Sequence, residues 1–297
     1  LEGAELDFVA VNNFCSFVDP DLCQSQVDPF LGVGCSEPYG WVDAANGLCR
    51  ASVHGYHFAN RPPGGAVFVS QGTLTVVNSY FGFNTGGWRG GAVFVQSGSV
   101  AIERSFFMGN LANGAGSISV TESTPEIPAS VSIVDSYFKA NNAAASSAGA
   151  LQLHAGSVAI NRVVLRGNSA AESSGAVDVT AGHLSIENSD IHGNSALGTC
   201  GGVSARDFQS LVIHNTTLAV NDGDGGPISF SSTQDAPTAA ISHSQIVENT
   251  GGVGQVILST FSGEPSGTVL LTHSHFISNS FTRPGKRYAD DPEWTRT

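Results

Sequence analysis

The chain has 297 residues, of which 36 are glycine, 12 basic and 25 acidic. Charged residues make up 12% against roughly 25% in an average domain, and with 41% hydrophobic residues this argues against intrinsic disorder. A net charge of −13, with Lys139 and Lys286 the sole lysines, argues against nucleic-acid binding, which needs a basic face. No apolar run reaches the ~18 residues of a membrane-spanning helix. The start at Leu1, with no signal-peptide pattern, reads as a mature product or a piece of a longer chain.

Residues 1–60 hold Cys15, Cys23, Cys35 and Cys49 and share no register with residues 61–281. The cysteines are separated by 7, 11 and 13 residues. They lack the short Cys-x-x-Cys pairs that most zinc knuckles need, so two disulfides are favoured over a metal site. The segment reads as a disulfide-tied N-terminal cap or as the end of a preceding rung. Disulfides imply an oxidising compartment. A cap also suits a stack of strands, whose open end invites edge-to-edge pairing.

Residues 61–281 repeat. A large apolar residue, two variable residues and Asn recur eight times: Phe81 to Asn84, Phe107 to Asn110, Phe138 to Asn141, Leu165 to Asn168, Ile191 to Asn194, Leu218 to Asn221, Ile246 to Asn249 and Phe276 to Asn279. From Asn84 to Asn279 is 195 residues over seven intervals, a period of about 28, in the range of stacked solenoids. Two residues before the large apolar position stands Ser or Thr in every copy except Val163; five before it stands Val, Ile or Leu. A second block opens on glycine, as in Gly64-Gly65-Ala66-Val67 and Gly90-Gly91-Ala92-Val93. Short alternating segments with Gly, Ser and Asn corners, and no helical periodicity, predict an all-β fold. The expected architecture is a parallel β-helix of about eight rungs, with ladders of Phe, Ile, Ser and Asn.

The paired Gly-Gly-Ala-Val and Phe-x-x-Asn motifs resemble the repeat of the chlamydial polymorphic outer membrane proteins. Phe81 to Asn84, Phe107 to Asn110, Phe138 to Asn141 and Phe276 to Asn279 match the second motif, and Gly64 to Val67 and Gly90 to Val93 the first. The resemblance covers about residues 60–280. It implies a right-handed, surface-displayed β-helix used in adhesion, a handedness that parallel crossovers also prefer. In that family a membrane β-barrel comes next; here residues 282–297 are polar, hold four basic residues and read as a tail or cap.

Signs of chemistry are sparse. β-Helix enzymes acting on acidic polysaccharides need clustered carboxylates on neighbouring rungs. The glycine-opened strands are expected to turn Phe68, Phe94, Ser119, Gln152, Asp178 and Ser229 outward, and Asp178 is the sole acid in that row. Asp222 and Asp224, in Asn221-Asp222-Gly223-Asp224-Gly225-Gly226, are weak calcium candidates, because such clusters mostly form turns. His243 and His273 are expected to stack outward, with His275 nearby, and read as surface decoration. Asp190 and His192 read as solvated groups. Cys200 is a small corner residue or a link to a second chain. Asn215 opens a glycosylation sequon, Asn215-Thr216-Thr217. No cofactor is called for.

The exposed features expected to meet a partner are an outward aromatic stripe and a set of loops. The stripe is Tyr80, Phe106 and Tyr137, continued by Val164 and flanked by Phe68 and Phe94. The proline-bearing loops 121–130, 231–238 and 259–268 share one corner. The sequence therefore points to an extracellular, secreted or cell-surface β-helix, non-catalytic, serving adhesion or structure with protein or glycan partners. A polysaccharide lyase or glycoside hydrolase is the alternative, and a glycan-binding module without turnover the third reading.

Overall fold

The computed structural model describes residues 65–69, 72–121, 130–145, 147–154, 156–251, 257–261 and 267–281, with four short strands, Ala4–Leu6, Val9–Val11, Trp41–Asp43 and Leu48–Arg50. Among the described residues there is no helix, and the strands form three sheets of fifteen, eleven and seven strands. The chain winds through all three in every coil and makes about seven turns of a parallel β-solenoid.

The first sheet carries two strands per coil. One is the glycine-block strand, such as Val93–Val95, and the other precedes the next corner, such as Gly98–Glu103. In two coils they fuse into Val177–Glu187 and Val203–His214. The second sheet stacks the strands of the Phe-x-x-Asn motif, from Tyr80–Gly82 to His275–Ile277. The third is built from two-residue strands just after each Asn, such as Leu111–Ala112 and Ser169–Ala170. The repeat pattern does not reveal this third sheet, because two residues carry no periodicity.

Register follows the ladders read from the sequence. Phe81 faces Phe107, Phe107 faces Phe138, and the row continues through Leu165, Ile191, Leu218 and Ile246 to Phe276. Val76, Ile102, Ile133, Ile160, Ile186, Ile213, Ile241 and Leu271 form the facing row. Every member except the last of each row is buried. The three Phe rings stack at 4.7 Å with interplanar angles of 1° and 2°. Burying one such side chain is worth about 1.5–3 kcal/mol, so these rows are the main apolar stabilisation.

The polar ladders satisfy what the apolar ones cannot. Each Asn from Asn84 to Asn249 donates its backbone N–H and its Nδ2 to Oδ1 of the next Asn, at 2.8–3.1 Å. In the Ser row, backbone N–H groups donate to the next hydroxyl, as Ser79 does to Ser105 Oγ at 3.1 Å. Val163 interrupts that row: its own N–H reaches Ser189 Oγ, but it offers no hydroxyl to Ser136.

Corners that bend with positive φ are mostly not glycine. Asn78, Arg104, Asp135, Arg162, Asn188, Asn215, His243 and His273 form one such row, with φ between 45° and 55°. Phe83, Ala140, Val220, Glu248 and Ser278 share a second row with Gly109, Gly167 and Gly193. Val220 is the costly member, since a β-branched residue in the left-handed region is strained, and its side chain is 46% exposed. Val220→Gly should raise unfolding stability by about 1 kcal/mol, the left-handed penalty less the flexibility of glycine. A urea midpoint below that of the parent chain would refute this.

At the N-terminal end, Ala4–Leu6 pairs in parallel with Leu74–Val76, and Val9–Val11 with Tyr80–Gly82. Part of the cysteine segment therefore adds strands to the first coil. Trp41–Asp43 and Leu48–Arg50 pair antiparallel beside Val9–Val11. Cys15, Cys23 and Cys35, and the side chain of Cys49, lie outside the described residues.

Candidate functional site

The second sheet turns one row of its short strands outward. In register this row reads Tyr80, Phe106, Tyr137, Val164, Asp190, Thr217, Gln245 and His275. Its first three members are half-buried aromatic rings in one stack, Tyr80 to Phe106 at 5.5 Å and Phe106 to Tyr137 at 4.8 Å, nearly parallel. Gly82 allows this, because a Cβ there would strike the Tyr80 ring, which lies across the strand. The Tyr80 hydroxyl reaches Met108 Sδ at 3.6 Å. Exposed Phe83 lies over Gly109 beside the stack. Because each ring covers its neighbour's face, the stack offers ring edges to a partner. Stacking a sugar ring needs a free face, so the stripe suits an apolar protein contact better than a glycan.

Phe68 and Phe94 do not belong to this surface. They stack on each other at 5.4 Å on the first sheet, and Phe94 is 5% exposed, with the Arg89 guanidinium 5.9 Å from its ring centre. From Phe94 onward, the row expected to point into solvent is covered: Ser119, Gln152, Asp178 and Ser229 are buried, as is Ser204, which the register adds to the row. Alternation correctly places these residues on the side of the sheet opposite Val177 and Val179. It cannot tell that this side is covered too.

Asp178 is 1% exposed, and its Oδ2 accepts from Arg206 Nη2 at 2.7 Å. Its Oδ1 makes no hydrogen bond, although the Ser204 hydroxyl stands close by. Burial pushes the carboxyl pKa up, against the opposing pull of Arg206 and Ser204. His154, two residues beyond Gln152, has its pKa lowered by burial and then by the charges of Arg89 and Arg206. Sequence reasoning misses Arg206; the register that sets Asp178 against Ser204 and Thr180 against Arg206 is the signal that could have found it. The row brings no second carboxylate to Asp178, so an acid pair is not assembled among the described residues of this face.

The remaining candidates stay apart. Asp222 and Asp224 are exposed, and the Asp222 carboxylate accepts from the Thr250 hydroxyl. Among the described residues no three His, Cys, Asp or Glu side chains gather as metal ligands. His243 and His273 stack at 4.8 Å, with His214 edge-on to His243 at 5.1 Å. Asn215 is exposed at a positive-φ corner, with its Nδ2 donating to Asn188 Oδ1. Asp190 and His192 are half-buried on the second sheet. Cys200 does not suit a link to another chain: it is fully buried in the corner row Gly90, Ala115, Ala148, Ser174 and Cys200. Burial pushes its thiol pKa up to about 12, which leaves it unreactive. Most of loop 121–130 and half of loop 259–268 lie outside the described residues.

Comparison with known proteins found no matching family model, no matching curated protein and no matching solved structure. Among the described residues no helix is long and apolar enough to cross a membrane, which says nothing of a barrel built from strands.

Proposed function

We propose that this chain is a stiff, right-handed, non-catalytic rod of an extracellular or cell-surface assembly, closed at its N-terminal end by a disulfide-tied segment. It serves adhesion or extracellular structure, and it meets a protein partner through the second sheet. The observation that carries this reading is the stack of Tyr80, Phe106 and Tyr137, three half-buried rings held in register by the solenoid. Aromatic groups anchored on a rigid scaffold lose little entropy on binding, which suits an interface centre. The ladders of Asn and Ser support the structural part, since they make every coil depend on its neighbours. The likeness of the repeat to the chlamydial polymorphic outer membrane proteins supports surface display. The exposed Asn215 sequon and the cysteine-rich start fit an oxidising, extracellular setting.

The test is attachment of the purified chain to panels of extracellular matrix proteins and of acidic and neutral polysaccharides, with new polysaccharide chain ends recorded in parallel. Attachment to a protein should weaken about tenfold in Phe106→Ser, the ~1.4 kcal/mol expected from losing one anchor. Circular dichroism would confirm that the variant is folded. New chain ends above a heat-killed control would overturn the non-catalytic reading. Attachment unchanged by Phe106→Ser would remove the stripe from it.

A further inference from the structure

Beside the aromatic stack the second sheet turns a second row outward. Two residues after each member of the first row, it reads Gly82, Met108, Lys139, Arg166, His192 and Ala219. Lys139 and Arg166 are exposed and directly opposite each other in adjacent coils, with their strands about 4.8 Å apart. Like charges opposed across neighbouring strands repel, so the placement costs stability. Among the described residues neither side chain makes an ion pair. Asp190 shares this face one coil on, opposite Val164, but does not pair with Arg166.

Elsewhere among the described residues the solenoid partners its arginines. Arg104 pairs with Glu103, Arg162 with Asp135 at 2.6 Å and Arg206 with Asp178 at 2.7 Å, and Arg89 lies 5.9 Å from the Phe94 ring centre. In a chain with 25 acidic residues against 12 basic, two adjacent cations without an acid call for a reason outside the coil itself. Nothing bulky shields them on the corner side, where Ala140 and Gly167 follow and no atom lies within 4 Å of a Cβ added at Gly167. On the other side stand Tyr137 and Val164. The ring edges that the stack presents carry the positive end of the aromatic quadrupole. Rings and cations therefore form one stretch of surface that is both apolar and positive, on a chain of net charge −13.

Resting on the reading of the stripe as a protein-binding site, we propose that Lys139 and Arg166 select the partner by charge. The partner presents an acidic segment in which Asp or Glu adjoins apolar side chains. Its carboxylates meet the two cations while its apolar groups cover Phe106 and Tyr137. The Arg166 guanidinium holds a carboxylate through two parallel N–H donors, and Lys139 adds a point charge beside it. An acidic polysaccharide fits less well. It is charged along its whole length, so beyond these two coils it meets the repulsion of an acidic chain, and the covered ring faces deny it stacking.

The experiment measures binding of the full chain to an array of short apolar peptides that differ only in carrying paired Glu, paired Gln or paired Lys, with heparin as a sulfated-glycan probe. The Glu peptides should bind about tenfold tighter than the Gln peptides at low salt and lose that margin at high salt. Lys139→Gln and Arg166→Gln should each shrink the margin while Gln-peptide binding stays unchanged. Lys139→Glu combined with Arg166→Glu should turn the preference to the Lys peptides. Arg89→Gln, which removes an exposed cation beside the glycine block, should change neither. Because the like charges repel, both Gln variants should unfold at a urea midpoint no lower than the parent's; a lower midpoint in both makes the cations structural and overturns the proposal. Phe106→Ser should weaken Glu and Gln peptides alike. No preference for Glu over Gln peptides overturns the proposal, and leaves the stripe standing where Phe106→Ser still weakens both. A Glu preference that survives both Gln variants overturns it as well. Heparin bound through Lys139 and Arg166, with no Glu preference, assigns the cations to a sulfated glycan instead.

Discussion

Asn168→Ala should cost about 4 kcal/mol of unfolding stability, more than any single surface change in this chain, because each of the bonds it deletes is worth about 1 kcal/mol or more. The side chain is fully buried and makes four hydrogen bonds. Its Oδ1 accepts from Asn141 N at 3.0 Å and Asn141 Nδ2 at 2.9 Å; its Nδ2 donates to Phe138 O at 3.1 Å and Asn194 Oδ1 at 2.9 Å. Alanine keeps the backbone bond from residue 168 to Asn194 Oδ1 but deletes the other four. It also leaves the Asn141 backbone N–H and one of its two Nδ2 hydrogens buried without an acceptor, the other still reaching Phe107 O at 3.1 Å. Asn168→Asp is no remedy. It keeps an acceptor towards Asn141 yet turns carboxylate oxygen towards Asn194 Oδ1 and Phe138 O, where donors are required. Asn279→Ala in the last described coil removes three side-chain bonds from a half-buried site and should cost clearly less, because solvent replaces part of what is lost. Urea unfolding of the three variants measures the order. A loss at residue 168 no greater than at 279 would mean that the ladder does not act as a buried network.

The ladders are legible in the sequence because they are a matter of spacing. Large apolar, Ser and Asn positions recur at fixed offsets, and parallel stacking turns equal offsets into contacts. Beyond its reach are properties of the third dimension. Alternation puts Phe94 and Asp178 on the side of the strand away from Val93 and Val177, but whether that side meets solvent depends on what packs over it. Spacing sets Arg206 one coil on and two residues along from Asp178 on the same face, but that its side chain reaches back to the carboxylate is a matter of rotamer and burial. The aromatic stripe survives in Tyr80, Phe106 and Tyr137, where strand position alone decides exposure, and fails at Phe94, where it does not. The corners are a different case. Glycine is the residue expected wherever φ is positive, yet Arg104, Asp135, Arg162 and Val220 hold that conformation, and the glycine blocks answer to another demand.

That demand is close approach, and it can be separated from backbone conformation by two substitutions. Gly175 has ordinary φ, but a Cβ there would collide with the Gly201 carbonyl oxygen of the next coil and come within 2.5 Å of Ser195 N. Both obstacles are backbone: Ser195 N donates to Asn168 O, and the Gly201 carbonyl follows directly on the Cys200 carbonyl that accepts from Gly175 N. Neither can swing aside as a side chain would. Gly175→Ala must therefore wedge two coils apart, shifting the glycine block against the third sheet, and should cost about 3 kcal/mol or more, at the upper end of overpacking. Gly167 has the opposite character: φ is +62°, and nothing lies within 4 Å of its added Cβ. Gly167→Ala should cost only the left-handed penalty, about 1 kcal/mol, much as Ala140 already tolerates at φ 54° one coil earlier. The same collision with a carbonyl of the following coil recurs at Gly91, Gly116 and Gly149, so the glycine column sets how tightly successive coils can stack. Equal losses at residues 175 and 167 would return the glycine block to a question of φ; a loss confined to 175 makes it the spacer that the solenoid cannot enlarge.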